Sequence, residues 1–280
     1  MTTASGERNQ LGGLLREWRA VRHASQLTLA LDAEISQRHL SFIESGRTAP
    51  SRAMVLRLAA ALDLPLRARN DLLGAAGYAQ VYPERPLGAA EMERVREALG
   101  RILAHQEPYP ALVLDRAWNI IMRNNAAARI LARCVDEAAL VRRSPDGRLN
   151  FLRVYFDPSG LRRHIRSWDR TGPSLMARLR REAAAYPGSP SEALLRELLP
   201  GAPPVVLPAA GDAALAPTLP LELAIDGGTL RLFNTLTTFG TPQDVTLQEL
   251  RIEMSFPAND ESDALLRRWA NEAAPSDASS

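Results

Sequence analysis

Gln37 and Arg38 stand side by side in the run Ser-Gln-Arg-His-Leu-Ser-Phe-Ile-Glu-Ser-Gly-Arg, residues 36–47. A guanidinium can bond O6 and N7 of guanine in a fork, and a carboxamide can do the same at N6 and N7 of adenine. Such readout requires the pair to sit at the exposed start of a helix that enters a major groove. Ser36 provides that start, because its hydroxyl can accept an orphan backbone N–H of the first turn. Leu40 and Ile43, spaced i, i+3, form the buried stripe and turn Gln37, Arg38, His39, Ser41 and Phe42 toward other faces. Gly46 suits a left-handed C-terminal cap. The candidate DNA contacts are therefore Gln37, Arg38 and His39, with Phe42 one turn on. Ser36 would cap the helix and also donate to a phosphate. Ser25 and Gln26 before it, and Arg47 and Arg52 after it, would reach the sugar–phosphate backbone. His39 has a second reading, in which its ring packs on Leu14 or Trp18.

The elements that must position these side chains are legible on either side. Leu29, Ala30 and Ala33 share one face of a preceding short helix, Ala30 is small enough for close approach, and Ile35 plugs the corner. Leu11 to Arg22 opens the domain, Ser51 caps a helix through Leu62, and Pro65 separates it from a fifth helix ending at Gly77. An ordinary pair of packed helices in a bundle would share some of this pattern. Many separate positions agree, however: Ser-Gln before the first helix, Ala at its packing position, Ser at the second cap, Ile-Glu-x-Gly-Arg at the exit, then Pro-Ser. In these the chain resembles the Cro/repressor-like (XRE) helix-turn-helix regulators. Glu34 departs from the pattern, which often has Gly at the corner. A left-handed Glu costs about 1 kcal/mol, which leaves open a corner built differently.

The 280 residues suffice for two domains, and 46% hydrophobic with 24% charged residues excludes a disordered chain. All 34 basic residues are Arg, and the net charge of +2 is too mild for a protein that coats nucleic acid by bulk charge. Residues 1–82 carry ten Arg against seven acids, so the basic excess lies with the helix-turn-helix pattern. The single cysteine, Cys134, excludes an internal disulfide and a Cys-rich zinc site. No signal-like start and no run of about 18 apolar residues is present, so a cytoplasmic protein with no membrane partner is expected.

Met1 to Asn9 reads as a frayed tail, and Tyr78 to Ala90 as the linker. Glu91 to Gln106 is an amphipathic helix, either a dimer or signalling element or a cover for one edge of the second domain. Ala111–Leu114 and Trp118–Met122 read as a hairpin, followed by a helix opening at Asn124-Asn125. Asn150–Phe156 is either helix or strand. Leu175–Tyr186 and Ser191–Leu199 are helical, and Gly201–Pro220 is a proline-rich loop. Leu221–Ile225 and Thr229–Phe239 around Asp226-Gly227-Gly228 give the strongest hairpin signal. Val245–Phe256 reads as a strand and Asp263–Ala273 as a closing helix. The expected architecture is thus an all-α repressor-type helix-turn-helix bundle (1–80), a linker (81–90), an α+β domain with an antiparallel sheet (91–272) and a disordered tail (273–280).

This second half, through P-Y-P-A-L-V-L-D-R-A-W-N (108–119), F-G-T-P-Q-D-V-T-L-Q-E-L (239–250) and S-F-P-A (255–258), resembles the C-terminal domain of the MmyB-like regulators, a PAS-like sensor module. With R-H-L-S-F-I-E-S-G-R-T-A-P-S-R (38–52) and L-R-A-R-N-D-L-L-G-A-A-G-Y-A (66–79), the resemblance covers nearly the whole chain. It implies a transcription factor that binds a double-stranded DNA operator and a small-molecule effector, with a fatty-acid-like apolar ligand compatible with the family; no cofactor is expected. A homodimer is expected. The alternative is a second domain that only dimerises or binds a partner protein. Candidate pocket residues are Trp118, Phe151, Tyr155, Phe156, Trp168, Phe233, Phe239 and Phe256, against the common reading of such aromatics as core. Arg153, a charge within an apolar run, needs a partner if buried, and a ligand carboxylate would serve; otherwise it faces water. Catalysis is not expected: His23, His39, His105 and His164 lack metal-ligand spacing, and no glycine-rich phosphate loop follows a strand.

Overall fold

The computed structural model describes residues 3–202 and 220–272, with side chains from residue 10 onward. The described residues fold as two compact units: those up to Pro86 with Phe239–Gln248, and those from Leu87 to Thr238 with those from Glu249 on. Most of the loop expected over Gly201–Pro220, and the tail 273–280, lie outside the described residues.

The first unit packs α1 (Thr3–Val21), α2 (Gln26–Asp32), α3 (Gln37–Glu44), α4 (Arg52–Ala61) and α5 (Leu66–Ala75). Helix already begins at Thr3, where a frayed tail was expected. Leu15, Trp18, Leu29, Ala30, Leu40, Ile43, Leu58 and Leu72 meet in its core. Ser25, Ser36 and Ser51 cap α2, α3 and α4, each accepting the amide three residues on. All five helices leave through a left-handed residue: His23, Glu34, Gly46, Asp63 and Gly77. At the corner between α2 and α3, Glu34 has φ +55. Its N–H donates to Leu31 O at 3.0 Å and the Ile35 N–H to Ala30 O at 2.9 Å, the paired closure of a Schellman motif. The corner is therefore the ordinary one, built with Glu and bearing its conformational cost.

Residues 78–86 are not a free linker. Asn70, buried on α5, accepts the Val81 and Tyr82 amides at 3.1 Å through Oδ1 and donates to Tyr82 O at 2.7 Å. The segment Phe239–Gln248 also folds into this unit. Asp244 takes Arg85 Nη1 at 3.1 Å, and the Val245 N–H donates to Pro83 O at 2.8 Å. Pro65 cannot cap α5 with its side chain; Gln248 Oε1 does so, accepting the Leu66 N–H at 2.7 Å. Gln248→Ala should cost about 1 kcal/mol, the usual worth of an N-cap, and speed hydrogen exchange in the first turn of α5. Unchanged exchange there would remove the cap from the account.

The second unit holds a five-stranded antiparallel sheet of order β2-β1-β5-β4-β3, made by β1 (Ala111–Leu114), β2 (Ile120–Arg123), β3 (Leu221–Ile225), β4 (Gly228–Thr237) and β5 (Arg251–Pro257). Around it lie α6 (Glu93–His105), α7 (Asn125–Cys134), α8 (Glu137–Arg143), α9 (Phe151–Phe156), α10 (Trp168–Ala185), α11 (Pro190–Leu198) and α12 (Asp260–Glu272). Asp226 and Gly227, both at positive φ, turn β3 into β4 as their types require. The ambiguous stretch after Asn150 is helix, because Asn150 Oδ1 accepts the Arg153 amide at 3.2 Å. The single strand expected over Val245–Phe256 is instead a helical turn, Val245–Glu249, followed by β5. Asp244 Oδ1 accepts the Thr246 amide at 2.9 Å and starts that turn. Helix α8 was not foreseen; Asp136 caps it at the Ala139 amide.

Candidate nucleic-acid interface and ligand cleft

Helix α3 presents Gln37 and Arg38 exposed at its start, directly after the capping Ser36. Phe42, one turn on and half-buried, lies between two guanidiniums: Arg38 sits 5.4 Å and Arg47 5.8 Å from its ring centroid. Cation–π contact of this kind holds Arg38 along the helix rather than free in solvent. Arg47 and Arg52 are exposed. Among the described residues no carboxylate lies within ion-pair distance of Arg38, Arg47 or Arg52, so this face is a row of unneutralised cations. His39 is half-buried, its amide spent on Ser36.

Gln26 is placed otherwise than expected. Its Nε2 donates to Glu44 Oε2 at 2.8 Å, so its side-chain donor points inward and not toward a phosphate. The cause is Glu44, whose side chain is only 4% exposed at the end of α3. A buried carboxylate needs donors, and Arg19 on α1 supplies two, Nε at 2.9 Å and Nη2 at 3.3 Å. Arg16 also donates to the Glu44 carbonyl. The knot ties α1, α2 and α3 together and thereby fixes how α3 is presented.

In the second unit the aromatic candidates are mostly packed together. Trp118 is fully buried at φ +68, with Nε1 donating to Glu182 Oε2 at 2.9 Å and the guanidiniums of Arg178 and Arg251 4.5 and 4.2 Å from its ring. Phe151 stacks on it, Tyr155 follows, and Trp168 and Phe156 close the cluster. Burial pushes the Tyr155 hydroxyl up to about 12, against a hydrogen bond from Thr171 that lowers it. Phe233 and Phe256 stack on each other across β4 and β5, with Tyr109 beside Phe256. Phe239 belongs to the first unit.

A cleft of about 270 Å³ opens on the other side of α9. Leu140, Leu149, Val154, Phe156, Pro158 and Leu198 form its apolar wall, and Arg143, Ser144, Asn150, Arg153, Asp157 and Glu197 its polar rim. Of the sequence candidates only Arg153 and Phe156 line it. Arg153 neither faces water alone nor waits unpaired: Nε and Nη2 donate to the two Glu197 oxygens at 2.8 and 2.9 Å. The Glu197 hydrogen bond, working against desolvation, holds the Arg153 guanidinium above its usual range. Across the rim Arg143 pairs with Asp157 at 3.2 Å. Burial alone would push the Asp157 carboxyl up, but hydrogen bonds from Ser159 and the Arg143 charge outweigh it and hold the group low. Arg143 and Glu197 were missed in the sequence because they close helices α8 and α11 and meet α9 only in the fold.

A family model described as the MmyB-like transcription regulator ligand binding domain matches residues 95–268. The chain belongs to the MmyB-like transcription regulators. A helix-turn-helix family model matches residues 15–68, from within α1 into α5. An uncharacterized HTH-type transcriptional regulator, RghRB of Bacillus subtilis (strain 168), is 38% identical over 81 residues, 29% of this chain and 56% of that protein. A solved structure of an RNA-binding light-oxygen-voltage receptor aligns with 95% of this chain and 64% of its own, at a TM-score of 0.26 and 13% identity, too slight a likeness to place fold or function. The chain thus spans little more than half of the curated relative it matches. The whole cleft falls in the second unit, and all of its lining residues lie within the stretch that matches the MmyB-like ligand-binding domain. Among the described residues no helix is long and apolar enough to cross a membrane, and no three His, Cys, Asp or Glu side chains group as a metal site. The lone thiol of this MmyB-like regulator, Cys134, is buried, and desolvation followed by the Asp226 charge pushes it up to about 11, far from a reactive thiolate.

Proposed function

We propose that this MmyB-like regulator reads a DNA operator with α3 and is tuned by a small ligand held in its second unit. The observation that carries the first half is the exposed start of α3. There Gln37 and Arg38 follow a capped N-terminus, and among the described residues no carboxylate pairs with the cations of Arg38, Arg47 and Arg52. Gln37 and Arg38 read base edges, while Ser25, Ser36, Arg47 and Arg52 hold phosphates. His39 and Phe42 shape the apolar side of the contact. The regulator acts in the cytoplasm as a homodimer, with two readers about 34 Å apart along the duplex.

The ligand is a small amphipathic molecule of fatty-acid type. The cleft beside α9 supports this, with an apolar wall and the guanidinium of Arg153 at its rim. Occupancy shifts the population between dimer geometries according to the ligand's differential affinity for them.

Arg38→Ala tests the reading. On a specific site it should lose about 1–3 kcal/mol, roughly 5- to 150-fold in Kd, and far less on random duplex. Equal losses on both, measured by fluorescence anisotropy, would make Arg38 a phosphate contact and remove base readout from it.

A further inference from the structure

Arg153 faces the cleft with its two best-placed donors already taken. The contact is a fork-to-fork pair, Nε to Oε1 at 2.8 Å and Nη2 to Oε2 at 2.9 Å, and its third nitrogen donates to Ser144 Oγ at 3.2 Å. This is the geometry in which arginine holds any carboxylate. Glu197 is the penultimate residue of α11, where the partial negative charge of a helix C-terminus disfavours an anion. Its side chain is 43% exposed, so water awaits it if it lets go, whereas Arg153 at 24% exposure would keep only the looser carboxylate of Asp146, 3.7 Å from its third nitrogen.

We infer that Glu197 is a built-in competitor, occupying on Arg153 the place that a ligand carboxylate takes when the cleft fills. This rests on the cleft being the ligand site. Filling it places an apolar tail against Leu140, Leu149, Val154, Phe156 and Leu198, and exchanges one carboxylate for another on the same guanidinium. The exchange is nearly neutral in charge and hydrogen bonds, so the apolar contact decides the affinity. Monocarboxylates are thereby selected over neutral analogues, which leave Arg153 on Glu197 and must share the cleft with that pair. Binding also frees the end of α11 from α9.

The experiment is calorimetric titration of the full chain with decanoate and with 1-decanol. Glu197→Gln, and independently Glu197→Ala, should bind decanoate about three- to fivefold more tightly than the unaltered chain, the upper scale of one partly exposed charged pair. Affinity for 1-decanol should change less than twofold. Arg153→Gln should lose the gain in either background. Equal decanoate affinity with and without Glu197, but a loss on Arg153→Gln, would overturn the competitor and leave the cleft as the ligand site. Decanoate binding to none of the proteins, or undiminished by Arg153→Gln, would overturn the cleft reading and the competitor with it.

Discussion

Replacing Arg19 with alanine is expected to destabilise the helical unit by about 3 kcal/mol, the lower end for removing one partner of a buried ion pair. The lower end applies because Gln26 remains as a donor to Glu44, and because Arg19 itself is 21% exposed. The loss falls on α3, since Glu44 closes that helix and an unpaired carboxylate can regain water only by pulling its end away from α1. Hydrogen exchange across α1–α3 should accelerate by the corresponding factor, roughly 150-fold. DNA affinity should fall even though Arg19 does not belong to the reading face. The double replacement Arg19→Met with Glu44→Leu should recover much of the stability, because an apolar pair avoids the desolvation of both charges. Exchange in Arg19→Ala matching the unaltered chain would show that the knot contributes no stability.

Gly12→Ala should be nearly as damaging for a different reason. A Cβ built at residue 12 would stand 2.1 Å from the Glu44 carbonyl oxygen and 2.8 Å from its carbon. These are backbone atoms at the end of α3 and cannot rotate aside. Alanine is the better helix former by about 1 kcal/mol, but overpacking against backbone costs up to about 3 kcal/mol or more, so the clash wins. The thermal midpoint should fall by several degrees. Gly13→Ala, one residue on, meets nothing within 4 Å and should be neutral or slightly stabilising. A Gly12→Ala protein as stable as Gly13→Ala would mean that α1 and α3 do not approach this closely.

The two replacements also mark where sequence reasoning stops. The caps at Ser25, Ser36 and Ser51 and the turn at Asp226-Gly227 were legible because each is a contact of residue types two or three positions apart. Glu44 looked like a helix end, and only the crossing of α1, 25 residues earlier, makes it a buried anchor that draws Gln26 inward. Gln248 was read as part of a strand, yet it caps α5 from 182 residues away. No local pattern announces such a contact. The aromatic residues misled for a related reason: a Trp or Phe carries the same apolar area whether it lines a cavity or fills a core. Trp118 and Tyr155 are buried in one with Phe151 and Trp168 packed against it, and the cleft is made from helix ends whose rim is charged. Arg153 was the more informative signal, since a charge in an apolar run demands a partner, although the partner present is Glu197.

The central claim, that α3 reads DNA sequence, is most directly tested by selecting bound duplexes from a random library with the purified full chain. The account predicts enrichment of one motif with two half-sites about 10 base pairs apart, centre to centre. Duplexes that stay random in sequence through repeated rounds, although retained by the protein, would contradict it. They would reduce Arg38, Arg47 and Arg52 to a charged face without readout.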